Sequence, residues 1–203
     1  MRDFPDSFEH GSGVVVDLDQ SRALLVFSRP PARRGLEGTL AEYGLALEVA
    51  QEGTPDVLGE VINHNETHYW VRSVSGDPVE DHTLDGLEGA LGQRFGFVSP
   101  VYRAPGVPGH GGFFSPIANA MLVRPPRLAG GEPTRLDVAT ERLGLREDAE
   151  KSRYLVGYRY FYTTDPRNEH VFRVRERLLA ELPGAELQFE TMPMVVPVTV
   201  IPE

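Results

Sequence analysis

Ala23-Leu24-Leu25-Val26-Phe27-Ser28-Arg29-Pro30-Pro31 and Ala120-Met121-Leu122-Val123-Arg124-Pro125-Pro126 are two versions of one phrase, an apolar extended run stopped by Arg-Pro-Pro. Proline lacks a backbone donor and is kept out of sheet interiors, so each run reads as a strand that ends at its proline pair. A segment with helical spacing follows each phrase and reaches a Gly-Leu pair, Gly44-Leu45 in the first case and Gly144-Leu145 in the second. A chain that begins the same order of elements twice reads as two copies of one fold, and such a repeat decides the architecture before any single element does.

Working outward from the first phrase, residues 1–13 are polar and glycine-containing and read as a flexible arm. Val14 to Leu18 is β-branched and forms a hairpin with Arg22 to Ser28 across Asp19-Gln20-Ser21. Leu36, Leu40, Tyr43 and Leu47 recur at helical spacing, with Gly44 as the stop signal. Leu45 to Ala50 resumes an extended pattern, and turn residues surround a short apolar run at 57–62. Thr67 to Val74 is rich in strand formers and ends at Asp77-Pro78. Leu84, Leu87, Leu91 and Phe95 form one helical stripe. Phe97 to Arg103 reads as a closing edge strand, because Pro100 is tolerated only at an edge or a bulge.

Gly and Pro dominate the stretch that follows, so residues 104–118 read as a linker. The order then restarts with a strand over 119–123 and a helix from about Thr134 carrying Leu136, Ala139 and Leu143. Glu150 to Val156 and Tyr158 to Thr163 read as two strands joined at Gly157. Val171, Val174, Leu178 and Leu182 repeat the helical stripe of the first half, Pro183-Gly184 ends it, and Glu186 to Thr191 closes the unit. Residues 195–203 make an apolar, proline-broken tail.

Both halves, 14–103 and 119–194, therefore read β-α-β-β-α-β. Helices with one apolar stripe pack as a single layer on one face of an antiparallel sheet, which predicts an α+β protein made of two tandem ferredoxin-like plaits. The second face of each sheet is left open for contacts.

With 203 residues and no cysteine, disulfides and thiolate metal sites are excluded, and a net charge of -10 disfavours nucleic acid and anionic membranes as partners. The N-terminus lacks the apolar core of a signal peptide, and no run approaches the roughly 20 apolar residues of a membrane span. The expectation is a cytoplasmic protein.

Motifs of catalysis are missing: no phosphate-binding loop, no dinucleotide glycine pattern and no nucleophile elbow occur. His64 and His68 stand four apart, but Asn63-His64-Asn65 reads as a turn, so a surface loop is expected. His82 and His110 read as solvated. No cofactor, no metal and no enzymatic activity are expected.

The aromatic cluster Tyr154, Tyr158, Tyr160, Phe161 and Tyr162 stands out. On a strand, Tyr158, Tyr160 and Tyr162 share one face and Phe161 the other. With Phe161 toward the helices, the tyrosines line the open face, either as cross-strand packing or as a contact surface. Gly157 to Tyr162 is also loosely similar to the aromatic strand of an RNA-recognition motif, whose accompanying basic residues this acidic chain lacks.

Phe97-Val98-Ser99-Pro100-Val101-Tyr102-Arg103, the Gly/Pro linker and Met121-Leu122-Val123-Arg124-Pro125 together resemble the N-terminal pro-regions of large bacterial subtilisin-like serine proteases. The resemblance spans about residues 14–203. The protease domain itself is absent: no Gly-Thr-Ser motif occurs, and Gly109-His110-Gly111-Gly112 is not the His-Gly-Thr of that family. The resemblance implies a stand-alone inhibitor, and a folding chaperone, of a separately encoded subtilisin-like protease. It implies that the open sheet docks on the protease and that the C-terminal tail enters the active-site cleft as an added strand. Carried over residue by residue, Glu203 would meet the primary specificity pocket, followed by Pro202, Ile201 and then Val200 in the fourth, apolar pocket. The alternatives from the same sequence are a tandem ligand-binding or regulatory module and an enzyme with an unrecognised site between the domains.

Overall fold

Strand β2 (Val14–Phe27) is the spine of the first half, and it is longer than the first Arg-Pro-Pro phrase foretells. The structure, a computed structural model, describes residues 4–10, 14–48, 66–103, 113–126, 135–166 and 169–194. The described residues separate into two units, one within Met1–Ser115 and one within Pro116–Thr191, with the end of the last strand, from Met192, counted with the first. Each is a mixed α+β unit with an antiparallel sheet.

In the first unit the elements are β1 (Ser7–His10), β2, α1 (Arg33–Glu42), β3 (Leu45–Leu47), β4 (His68–Ser73), α2 (Asp81–Leu91) and β5 (Phe95–Arg103). The strands lie in the order β3-β4-β2-β5, and β1 pairs with the first part of β2. Three sequence expectations are corrected here. The N-terminal arm contains a strand, since Ser7 to His10 pair antiparallel with Asp17 to Val14. The expected hairpin is one bent strand, because Asp19-Gln20-Ser21 stays extended. Asp19 is buried, and its carboxylate accepts from the Ser21 amide at 3.0 Å and from the Arg22 guanidinium at 2.9 Å. The turn signal is thus spent inside the strand, where the β2–β5 register shifts between Leu18 and Ala23. Finally, Phe95 opens β5 and Leu47 lies in β3, so neither belongs to a helical stripe.

Alternation sorts β2 cleanly. Ala23, Leu25 and Phe27 share a core with Leu36 and Leu40 of α1, Leu84 and Leu87 of α2, and Tyr69, Val71 and Val98. The two helices approach closely at Gly86, where a Cβ would stand 2.6 Å from the Tyr43 ring. The opposite face is buried as well: Leu24, Trp70, Phe97 and Ser99 expose 0%, 3%, 7% and 0%.

The second unit contains most of β6 (Phe113–Arg124), then α3 (Leu136–Arg142), β7 (Leu145–Glu147), α4 (Ala149–Ser152), β8 (Arg159–Thr163), α5 (Val171–Glu181) and most of β9 (Glu186–Met194). Its strands lie in the order β7-β8-β6-β9. Here too the reading is corrected. The expected linker gives way to strand at Phe113, whose first residues pair with Arg103 and Tyr102 inside the first unit; residues 104–112 lie outside the described ones. The second strand is Leu145–Glu147, not Glu150–Val156, because Asp148 caps a short helix by accepting from the Lys151 amide at 3.0 Å. Both Gly-Leu pairs behave alike: Gly44 and Gly144 each have φ 68, a left-handed conformation that frees the next residue to enter a strand.

Candidate protein-binding face

The side of the second sheet away from its helices is built by strand alternation. Met121, Phe161 and Val123 point to the helices and expose 0%, 1% and 0%. Register pairs Ala120 with Tyr162 and Leu122 with Tyr160, so these four share the opposite side. Arg146 of β7 lies across from Tyr162 on that side. Tyr158 precedes β8 rather than lying in it, yet its ring stacks under Arg124 at 4.2 Å from the centroid. The structure therefore brings the three expected tyrosines to one side.

Their surroundings differ from the expected open aromatic surface. Tyr160 is buried, not exposed, because α4 lies over it: the Lys151 ammonium sits 4.0 Å from its ring centroid. Lys151 Nζ also donates to the Tyr160 hydroxyl at 2.9 Å, and that hydroxyl donates to Glu190. Burial and the neighbouring Glu190 carboxylate both push the Tyr160 phenol up, so it stays protonated. The Tyr158 hydroxyl donates to Glu186 at 2.9 Å and accepts from the Gln188 amide at 3.0 Å; the bond to Glu186 raises its phenol as well. Arg124 closes the row with an ion pair to Glu186 at 2.9 Å. Charges from β6, α4 and β9 thus hold Tyr158 and Tyr160 in place on this side, beside Tyr162.

Lys151, Arg124, Glu186, Gln188 and Glu190 were not legible as site residues. The one available signal was Asp148 three residues before Lys151, a helix start that would have placed α4 beside the sheet. Val200, Ile201, Pro202 and Glu203, the residues of the expected tail, lie outside the described residues, as do His64 and His110. His68 is in β4, with its ring Nδ1 3.0 Å from the Thr67 hydroxyl. His82 is exposed beside Glu80 at 3.0 Å.

On the helix side of the same unit, a cavity of about 510 Å³ opens between α3 and β7–β8, lined in part by Asp137, Thr140, Glu141 and Arg159. Arg159 already forms a bidentate pair with Glu147, at 2.9 and 2.5 Å, and contacts Asp137 at 2.7 Å. Those hydrogen bonds raise the guanidinium further and hold the Glu147 carboxyl below its usual range. Among the described residues, no group of three or more His, Asp or Glu side chains is placed to hold a metal ion, and no helix is long and apolar enough to cross a membrane. No protein-family model and no curated protein matches this chain.

Proposed function

We propose that the chain is a pair of tandem ferredoxin-like plaits acting as a stand-alone, propeptide-like inhibitor of a separately encoded subtilisin-like serine protease. The strand orders β3-β4-β2-β5 and β7-β8-β6-β9 support the plait reading, since each interleaves two β-α-β units in one antiparallel sheet. The observation that carries the inhibitor reading is the face of the second sheet away from α3 and α5, where the half-buried Tyr158 and Tyr162 flank the buried Tyr160. Tyrosine offers large contact area at small entropic cost, and the hydrogen bonds to Glu186 and Glu190 preorganise it for a partner. In this reading Val200, Ile201, Pro202 and Glu203 occupy the protease cleft as an added strand.

The test uses each subtilisin-like protease encoded in the same genome, produced without any pro-region and assayed on a peptide substrate. The full chain inhibits at least one of them. A chain ending at residue 194 keeps its fold and loses inhibition by about 100-fold or more, the scale expected when an extended strand and its pockets are removed. Absence of inhibition across the set refutes the reading, and equal inhibition by the truncated chain refutes the role of the tail. The second reading, a ligand-binding regulatory module, has the cavity beside Arg159 in its favour. A thermal shift with small amino acids or sugars, in a chain that inhibits no protease, would select it.

A further inference from the structure

The segment Lys151–Gly157, which runs from the end of α4 to the approach of β8, carries the most exposed large apolar side chains among the described residues of the second unit. Val156 is 93% exposed and Tyr154 is 77% exposed. Two large exposed groups with only Leu155 between them, on consecutive turns, make a local tip rather than scattered surface residues. The tip is held rigidly at its base. Asp148 caps α4, the Ser152 hydroxyl accepts from the Tyr160 amide at 2.9 Å, and the Tyr154 and Leu155 amides donate to the carbonyls of Lys151 and Ser152 at 3.1 Å each. Gly157 closes the turn with φ 78, beside the Arg124 side chain. The tip is therefore continuous with the sheet face at Tyr158. Its charge is also unlike that of the chain: Lys151 to Gly157 contains no carboxylate, in a protein of net charge -10, and with Lys151 engaged by Tyr160 and Glu190 the exposed Arg153 is the cation beside the two apolar groups.

We infer that this tip is a second anchor for the protein partner, with Tyr154 and Val156 entering an apolar recess rimmed by carboxylates that face Arg153. The inference rests on the inhibitor reading above and adds to it a contact outside both the sheet face and the tail. An anionic membrane is the less suitable occupant, because the acidic chain as a whole is repelled from it.

The experiment compares the full chain with the Tyr154→Ser/Val156→Ser double variant and with Arg153→Glu, against the most strongly inhibited protease of the set. The double variant is expected to raise the inhibition constant about 10- to 100-fold through faster dissociation, and Arg153→Glu about 3- to 10-fold with a steeper dependence on salt. Both variants melt at the wild-type temperature, because the altered side chains are solvated in the free protein. Inhibition by the wild type with unchanged constants for both variants overturns the inference and leaves the inhibitor reading standing. Lack of inhibition by the wild type overturns both. Co-sedimentation of the wild type, but not the double variant, with phosphatidylserine vesicles assigns the tip to a membrane and overturns the inference.

Discussion

The second faces of the two sheets make the informative comparison. In the first unit the centre of that face is buried and mostly apolar, with Leu24 opposite Trp70 and Ser99 and with Phe97 beside them, while the half-buried Arg22, Arg72 and His68 lie toward its ends. In the second unit the matching side carries Arg124, Arg146, Tyr158, Tyr160 and Tyr162, of which Arg124 and Tyr158 are tied to Glu186 and Tyr160 to Glu190. Equal element order has been given two chemistries. Side chains of the first kind contribute stability through burial; of the second, Arg124 and Tyr158 keep their polar atoms at the surface, where they can exchange an internal partner for an external one, while Tyr160 is buried. The second sheet is thus the one to probe for binding and the first the one to probe for folding.

Three perturbations sharpen the contrast. The largest effect is expected for Leu24→Ala, which leaves a cavity under Trp70 and costs about 2–5 kcal/mol. Trp70 is the single tryptophan, so its fluorescence during chemical denaturation reads the first unit alone. A change below that range would mean the second face of the first sheet is loosely packed. Tyr160→Phe comes next. It removes the hydroxyl shared by Lys151 and Glu190 and costs about 1–2 kcal/mol, seen as faster amide exchange at Met121 and Phe161 with Trp70 unaffected. Equal loosening in both units would break the distinction drawn here.

The smallest effect is in pH. His170 is buried, and burial lowers its pKa below the ordinary histidine value of 6.5. The unfolded chain then binds the proton first, so the second unit keeps the full contribution above 6.5 and loses it progressively as pH falls below that value. Asp19 behaves differently. Burial would raise its carboxyl, but the Ser21 hydrogen bonds and the Arg22 charge outweigh burial and hold it below 3.8. Its contribution to the first unit is complete above 3.8 and declines only at more acid pH. Amide protection factors, which correct for the slower intrinsic exchange in acid, should therefore fall in the second unit between pH 7 and pH 5 before Trp70 fluorescence changes. His170→Phe should flatten that dependence.

The helices and their inward residues were legible in the letters. Leu36 and Leu40, Leu84 and Leu87, and Val171, Val174 and Leu178 all lie in cores where their spacing places them. Short elements were not. Ser7 to His10 forms a strand only because β2 extends far enough to pair with it, and Leu145-Arg146-Glu147 is too short to carry a period. Tyr154 and Val156 look like strand residues, yet the Asp148 cap folds the chain into α4 ahead of them. Of the candidate face, the tyrosines and their shared side were readable, whereas Lys151, Arg124 and Glu190 arrive from other elements and leave no local mark.

The opening phrase shows where local information stops. Its two copies share Ala-x-Leu-Val and Arg-Pro-Pro, with Phe27-Ser28 intervening in the first, and the sequence by itself determined that each is a strand ended by proline. Register decided the rest. Ala23 points into the helix-packed core of its unit, while Ala120 pairs with Tyr162 on the side away from the helices. Strand side chains alternate with a period of two, so an offset of one residue in pairing turns every matching residue to the other face. That offset depends on partner strands far away in the chain: on β4, against which the β2 register runs unbroken from Arg22 to Val26, on β5, against which it shifts, and on β8, where the β6 register runs unbroken through Val123.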